Sequence, residues 1–449
     1  MRRVAVIGSG ISGLSVAHGL RTSAQVSLFE ADSYFGGHTH TVDVKLNGVV
    51  NGKTTAITHG VDTGFLVFNE RTYPELIRLF GELGVATAAS EMSFSVQVPD
   101  AGLEWSGCDL NTVFAQRSNL VKPGFWRMLK DMLRFNKICT AIALQNNDEA
   151  LQQPIAEFLA HHRFSSEFRD WYFLPMIGCI WSCPTDQMLQ FPVATMIRFC
   201  HNHGLMQITN RPRWFTVTGG AKHYVAQMLK SIPDARLNMP VRSVRRDSRR
   251  GARSLSGDSA GAWVSTDHGT EHFDDVVLAC HSDQALALLS DASAAERDVL
   301  SAIRYHPNRA VLHTDTALLP KRKLAWAAWN YERAASHSRE QASVCLHYLI
   351  NRLQPLPFDT PVIVSLNPLT EPRADAVQGE FHYAHPVFDA AAIAAQKRLP
   401  ALQGVANTWF CGAWTRYGFH EDGLMSGLAV VKGLQAQWQR DTVPQWEAA

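Results

Sequence analysis

Val4-Ala5-Val6-Ile7-Gly8-Ser9-Gly10-Ile11-Ser12-Gly13 is the stretch whose reading decides the fold. Val4 to Ile7 is a short apolar run ended by glycine, as a buried parallel strand requires. Leu14 to Leu20 continues at helical spacing, so strand, glycine turn and helix occur in the order of a dinucleotide-binding unit. Gly8 permits the tight turn, Gly10 lets backbone approach a pyrophosphate, and Gly13 lets the helix pack closely on the strand. Ser9, Ile11 and Ser12 complete the turn, whose helix N-terminus offers N–H groups and a positive dipole end to phosphate. A second strand, Val26 to Phe29, runs into Glu30, at the spacing of about 20 residues where an acid accepts hydrogen bonds from a ribose. An acid there disfavours a 2′-phosphate, so NADP is not expected.

Met1-Arg2-Arg3 ahead of this apolar run has the outline of a signal peptide. The run breaks at Gly8 with no cleavage-like segment behind it, so a buried first strand is the reading. The 449 residues exceed one compact core, which predicts two domains. With 46% hydrophobic and 18% charged residues the chain is globular, and its net charge of +1 gives no overall attraction to nucleic acid. Eight scattered cysteines show no paired zinc-ligand spacing, and reduced thiols in a cytoplasmic protein are expected, with no metal. No stretch reaches the roughly 20 apolar residues of a membrane span.

After Glu30 comes Ala31-Asp32-Ser33-Tyr34-Phe35-Gly36-Gly37-His38-Thr39, where the glycine pair lets a loop pass close to a cofactor. At this point the chain resembles the flavin-containing amine oxidase superfamily, in which a similar segment follows the ribose acid and touches the FAD pyrophosphate. The family's usual arginine is His38 here, which makes that contact weaker or dependent on protonation. Val61-Asp62-Thr63-Gly64 looks like the family's stretch returning to the flavin, with Tyr73 to Leu83 as the next helix. Thr218-Gly219-Gly220-Ala221 and then Pro240-Val241-Arg242-Ser243-Val244 resemble its Gly-Gly helix and the valine strand beside the adenine. Asp275 to Ala279 looks like a later strand of the same sheet.

Near the C-terminus, Thr408-Trp409-Phe410-Cys411-Gly412 reads as a buried strand. His420-Glu421-Asp422-Gly423-Leu424-Met425-Ser426-Gly427 then opens a helix. The resemblance implies that this helix points its N-terminus at the flavin, where reduction places negative charge. Asp422 replaces the small residue usual there, as a helix cap or as a group facing substrate. Within the superfamily the chain is most similar to bacterial amine-oxidase-like proteins associated with fatty acyl chain modification. That likeness is carried by Phe419 to Gly423, Asn308 to Asp315 and Trp326 to Tyr331.

The resemblance implies an α/β fold with a Rossmann-type FAD-binding domain from residues 1–75, 210–300 and 405–449. An α+β substrate domain from 76–209 and 301–404 is interleaved with it. Arg245 to Gly261 reads as an exposed hairpin loop and Thr442 to Ala449 as a frayed tail. No second glycine fingerprint is present, which argues for reduction by an organic substrate rather than by NAD(P)H.

The expected activity is FAD-dependent hydride transfer from a hydrophobic substrate, an acyl chain by resemblance, to flavin N5. Amine oxidation, redox-neutral isomerisation and a non-catalytic flavin-binding partner of a lipid enzyme are the alternatives. His420 and Glu421 are the catalytic candidates: His420 as base or as a backbone-bonded histidine, Glu421 as catalyst or as a brace of its loop. Phe173 to Trp181 lines a tunnel or fills core, and Trp326, Trp329 and Tyr331 form a wall opposite the flavin or pack inside. Between residues 122 and 137, apolar residues from Phe125 to Phe135 recur at helical spacing among Lys122, Arg127, Lys130, Arg134 and Lys137. This fits either a helix lying on anionic headgroups at the inner face of a membrane or a surface helix packed on its own domain.

Overall fold

The structure is a computed structural model describing residues 1–50, 52–145, 153–207, 211–247, 261–334 and 344–442. Most of the expected loop at Arg245 to Gly261, and the tail beyond residue 442, lie outside the described residues.

The fold is α/β. Arg2–Ile7 is the middle strand of a five-stranded parallel sheet in the order 234–236, 24–29, 2–7, 275–278, 408–410. Val4, Ala5 and Val6 are fully buried because both faces are covered, one by helices and the other by a three-stranded sheet (241–246, 262–266, 269–273) with further helices, which is why this strand carries no polar alternation. Strands that lie far apart in sequence meet here: Val4 is in register with both Val26 and Asp275, and Val277 with Trp409.

The helix Ile11–Leu20 packs on the sheet and against the C-terminal helix His420–Thr442. Their approach depends on missing side chains. A Cβ on Gly13 would sit 1.9 Å from the Gly8 carbonyl oxygen, and one on Gly427 would sit 2.0 Å from Ser15 Oγ. The Thr41–Val50 and Lys53–Asp62 strands form a long hairpin in which Thr41 faces Asp62.

A seven-stranded sheet runs in the order 377–387, 304–313, 363–366, 345–349, 329–332, 94–98, 103–106. All its pairs are antiparallel except Trp329–Glu332 with Phe94–Val98. Helices between 110 and 202, including Pro123–Gln145 and Leu174–Trp181, pack on it through a large aromatic core centred on Phe135, Phe158, Phe168 and Phe173.

Asp62 ties the parts together. Its carboxylate accepts from Thr41 Oγ1, from the Ala221 N–H at 2.9 Å and from Gln354 Nε2 at 2.7 Å. Burial raises its pKa to about 7 against the pull of these donors. The N-terminus of helix Lys222–Leu229, behind the Thr218 to Ala221 motif, is thus satisfied by a side chain of the protein itself. Among the described residues no helix is long and apolar enough to cross a membrane.

Candidate cofactor and substrate cavity

A continuous cavity of about 1980 Å³ runs from the C-terminal edge of the parallel sheet to the face of the seven-stranded sheet. Single small-ligand sites usually occupy about 300–1,000 Å³, so there is room here for a dinucleotide and a second molecule.

One half is a glycine-rich crevice. Gly8, Ser9, Gly10, Ile11 and Ser12 line it, with Glu30, Ala31, Gly36, Gly37, His38, Thr39, Gly64, Val241 and Gly412. Glu30 locks two loops together: Oε2 accepts from the Ser9 N–H at 2.9 Å and from Ser9 Oγ at 2.5 Å, and Oε1 from the Asp32 N–H. Ser9 Oγ in turn accepts from the Gly36 N–H at 3.0 Å. Gly37 has φ +57°, and a Cβ there would come within 3.2 Å of Gly10 Cα, so the two glycine loops touch through backbone alone. A Cβ on Gly10 would meet nothing within 4 Å, because the crevice lies beyond it. No side chain caps the first turn of the Ile11–Leu20 helix, which leaves its N–H groups for an anion. An acid at the ribose position, uncapped N–H groups and glycines at Gly8, Gly10, Gly36 and Gly37 that let the backbone come close fit FAD.

Around the expected His38 the crevice also contains His281, Tyr383 and His385, which motif reading missed. His38 lies 5.4 Å from His385, 5.1 Å from Tyr383 and 6.2 Å from His281, ring centre to ring centre. Burial lowers the pKa of His38 and His281 to about 4 and that of His385 to about 3, so the cluster is neutral in the free protein. The only local signal was alternation: Tyr383 and His385 are two apart on strand Val377–Val387 and share a face.

His420 lines the junction between crevice and substrate end. Its ring stacks on Phe65 at 3.9 Å, and Nε2 is 2.7 Å from Tyr224 Oη, which is 2.5 Å from Thr39 Oγ1. Burial lowers its pKa to about 3, so it is a fixed, neutral, polar wall rather than a ready base.

Six other expected site residues lie outside the cavity lining. Glu421 points away and accepts the Glu75 N–H at 2.8 Å and the Leu76 N–H at 3.0 Å, bracing the start of helix Pro74–Leu83; the catalytic role considered for it is corrected to this one. Asp422 reaches back to the Phe419 N–H at 3.0 Å, as the third residue of a capping box does, so it caps the helix and does not face substrate. Gly13 and Gly423 serve helix packing: a Cβ on Gly423 would lie 2.8 Å from Ile11 Cγ2. Leu424 is core, in the apolar cluster of Leu14 and Val431. Thr63 is one layer behind, bonded to Tyr383 Oη at 2.7 Å and His40 Nδ1 at 2.9 Å.

The second half of the cavity is apolar. Met92, Phe94, Leu129, Met132, Met176 and Ile180 contribute, with Trp329 and Tyr348 edge to face at 4.9 Å. From the segment Phe173 to Trp181, only Met176, Cys179 and Ile180 line it; Phe173 and Ile177 are core. Of the three expected wall residues only Trp329 faces the cavity. Tyr331 is buried behind it, and Trp326 donates to the Pro320 carbonyl elsewhere. Trp329 Nε1 is buried without a hydrogen-bond partner, an unused donor in the cavity wall. Glu332, Cys345 and His347 stand close enough to share a metal ion, but none of them lines the cavity. A hydrogen-bond chain from the Asp315 N–H through His313, Ser365 and His347 to Glu332 accounts for the burial of both histidines.

A family model described as flavin containing amine oxidoreductase matches residues 11–350. No curated protein matches the chain significantly. Among solved structures, the CLA-producing fatty acid isomerase from P. acnes is 14% identical, covering 96% of this chain and 98% of that one, with a TM-score of 0.66. Cyclohexylamine oxidase from Brevibacterium oxydans IH-35A is 15% identical over 97% and 99%, with a TM-score of 0.65. A putrescine oxidase redesigned in cofactor binding is 15% identical over 97% and 99%, with a TM-score of 0.67. At these identities the likeness establishes the fold.

Proposed function

The chain belongs to the flavin containing amine oxidoreductase family, and from that premise we propose that it oxidises the acyl chain of a lipid. It is an FAD-dependent oxidoreductase. Bound FAD supplies the hydride acceptor at N5. The chain's own residues bind, orient and exclude water. Ser9, Gly10 and Gly37 would hold the pyrophosphate, Glu30 the adenosine ribose, and Val241 the adenine side. His420, held by Phe65 and Tyr224, would keep a neutral polar edge beside the flavin end.

The observation that carries the acyl reading is the chemistry of the second half of the cavity. Its walls are rich in Met, Phe, Leu, Ile and Trp side chains, and Asp109, the cavity-lining carboxylate next to the apolar residues Leu110 and Val113, is taken up in capping the helix Leu110–Val113. Of the carboxylates that do line the cavity, Glu30 and Asp32 belong to the crevice. The similar fold of a fatty acid isomerase supports an acyl substrate, and the similar folds of two amine oxidases keep amine oxidation as the competing reading.

Anaerobic incubation of the FAD-loaded enzyme with total membrane lipid tests this. Bleaching of the flavin, with an acyl chain that has lost two hydrogens, is the expected result. A shifted double bond with no net bleaching would convert the proposal to an isomerase. Peroxide release on amines and none on lipids would replace it with amine oxidation.

A further inference from the structure

The cavity opens at a rim unlike the rest of the surface. Among the described residues thirteen large apolar side chains are exposed, and five of them fall between 110 and 133. Leu110 is 79% exposed, Val121 81%, Leu120 48%, Trp126 51% and Leu133 52%. Three of these, Leu110, Trp126 and Leu133, also line the cavity, so the apolar patch is continuous with the apolar interior. Scattered exposed apolar residues need no explanation, but a cluster around a mouth does.

The rim is held in shape. Trp126 Nε1 donates to the Leu120 carbonyl at 2.9 Å, tying the turn Arg117–Val121 to the helix Pro123–Gln145, and Phe114 packs on Trp126 with ring centres 5.5 Å apart. The helix buries Phe125, Met128 and Phe135 in its own core, so Trp126 and Leu133 are left over from folding.

Charge surrounds the patch. Lys130 lines the mouth and is exposed, and Lys137 is exposed one face further along; among the described residues neither makes an ion pair. Arg127 and Arg134 are paired with Glu167 and Asp131, and Lys122 donates to the Ala101 and Gly102 carbonyls. Arg211, which donates to the Gln207 carbonyl, and Arg213, which pairs with Glu70, complete the cationic side of the mouth. Asp109 also lines it, where it caps the short helix Leu110–Val113.

We infer that this rim docks on the surface of an anionic bilayer, and that Lys130 with Arg211 meets the anionic head of the lipid whose acyl chain enters the cavity. The inference rests on the acyl reading proposed above. A bilayer is the occupant that matches both features at once: a cluster of exposed apolar side chains around the cavity, and exposed lysines without ion pairs on the same helix. A water-soluble substrate needs neither.

Flotation of the FAD-loaded enzyme with phosphatidylcholine vesicles, with and without phosphatidylglycerol, tests the docking directly. Binding is expected to phosphatidylglycerol vesicles and to weaken with salt. The double variant Leu120→Ser/Val121→Ser, whose positions lie outside the cavity, should bind about tenfold more weakly, and Lys137→Glu about fivefold. Both should reduce their flavin normally with detergent-dispersed lipid. Failure to float with either vesicle, or unchanged binding by the double variant, overturns the docking even when dispersed lipid bleaches the flavin. Floating without bleaching by any lipid defeats the acyl reading and leaves the docking in place. A patch that binds no vesicle but makes the enzyme dimeric, with the double variant monomeric, would assign it to a second copy of the chain.

Discussion

From Gly8 to Gly64 the cavity wall includes Gly8, Gly10, Gly36, Gly37 and Gly64, whereas from Trp126 to Ile180 every lining residue carries a side chain. At Gly8, Gly36 and Gly64 the first wall has an almost all-or-none tolerance, because a Cβ there would come within 2.7 Å or less of a main-chain oxygen that cannot rotate away. The second is graded, because methionine, leucine and tryptophan side chains can repack around substrates of different length.

The sharpest way to break this comparison is at Gly13, which lies outside the cavity but directly behind Gly8 of its first wall. Valine there would press on the Gly8 carbonyl, and we expect a destabilisation of about 3 kcal/mol or more together with loss of bound FAD. The flavin absorbance of the purified variant and its thermal midpoint would show it. A Gly13→Val protein that stays yellow and stable would mean the backbone wall is softer than described.

Acid should come next. His38, His203, His281 and His313 have folded pKa values of about 4, and His385 and His420 of about 3, against 6.5 unfolded. Their stability contribution is complete above pH 6.5 and is lost as pH falls through that value toward the folded ones, since the unfolded chain then binds more protons. Asp62, Asp275 and Asp422, raised to about 7, 6 and 6, act in the opposite direction, gaining stability as pH falls. The histidines outnumber them, at up to roughly 3 kcal/mol each, so the midpoint of the FAD-free protein should drop steeply from pH 6.5 to 4. Because five of these histidines line the cavity, bound FAD should flatten the drop. A midpoint that is flat across this range would show that the cluster is hydrated rather than buried.

Glu30→Ala leaves the Ser9 N–H and hydroxyl without their acceptor and should weaken FAD by about 2 kcal/mol, roughly thirtyfold, read by fluorescence titration. Trp329→Ala acts on the other wall. It should leave FAD affinity unchanged and slow flavin reduction by lipid about tenfold. Equal loss of FAD binding in the two variants would erase the distinction between the halves. The smallest effect should be at Glu421. Glutamine there costs about 1 kcal/mol at the start of helix Pro74–Leu83, seen in the thermal midpoint, with the rate of reduction intact. A large fall in rate with an unchanged midpoint would return Glu421 to the catalytic role.

What the amino-acid order determined by itself was the first strand, the glycine turn, the acid Glu30 at the end of the second strand and the glycine pair at Gly36 and Gly37. These are local: each is set by a steric or hydrogen-bonding demand met within a few residues. Only the tertiary structure decided that Glu421 is a brace, that Tyr348 rather than Tyr331 accompanies Trp329, and that His281 and His385 meet His38. Those facts depend on strand register and on contacts between segments more than a hundred residues apart. Residue type and spacing carry no record of such contacts when one strand face looks much like the other.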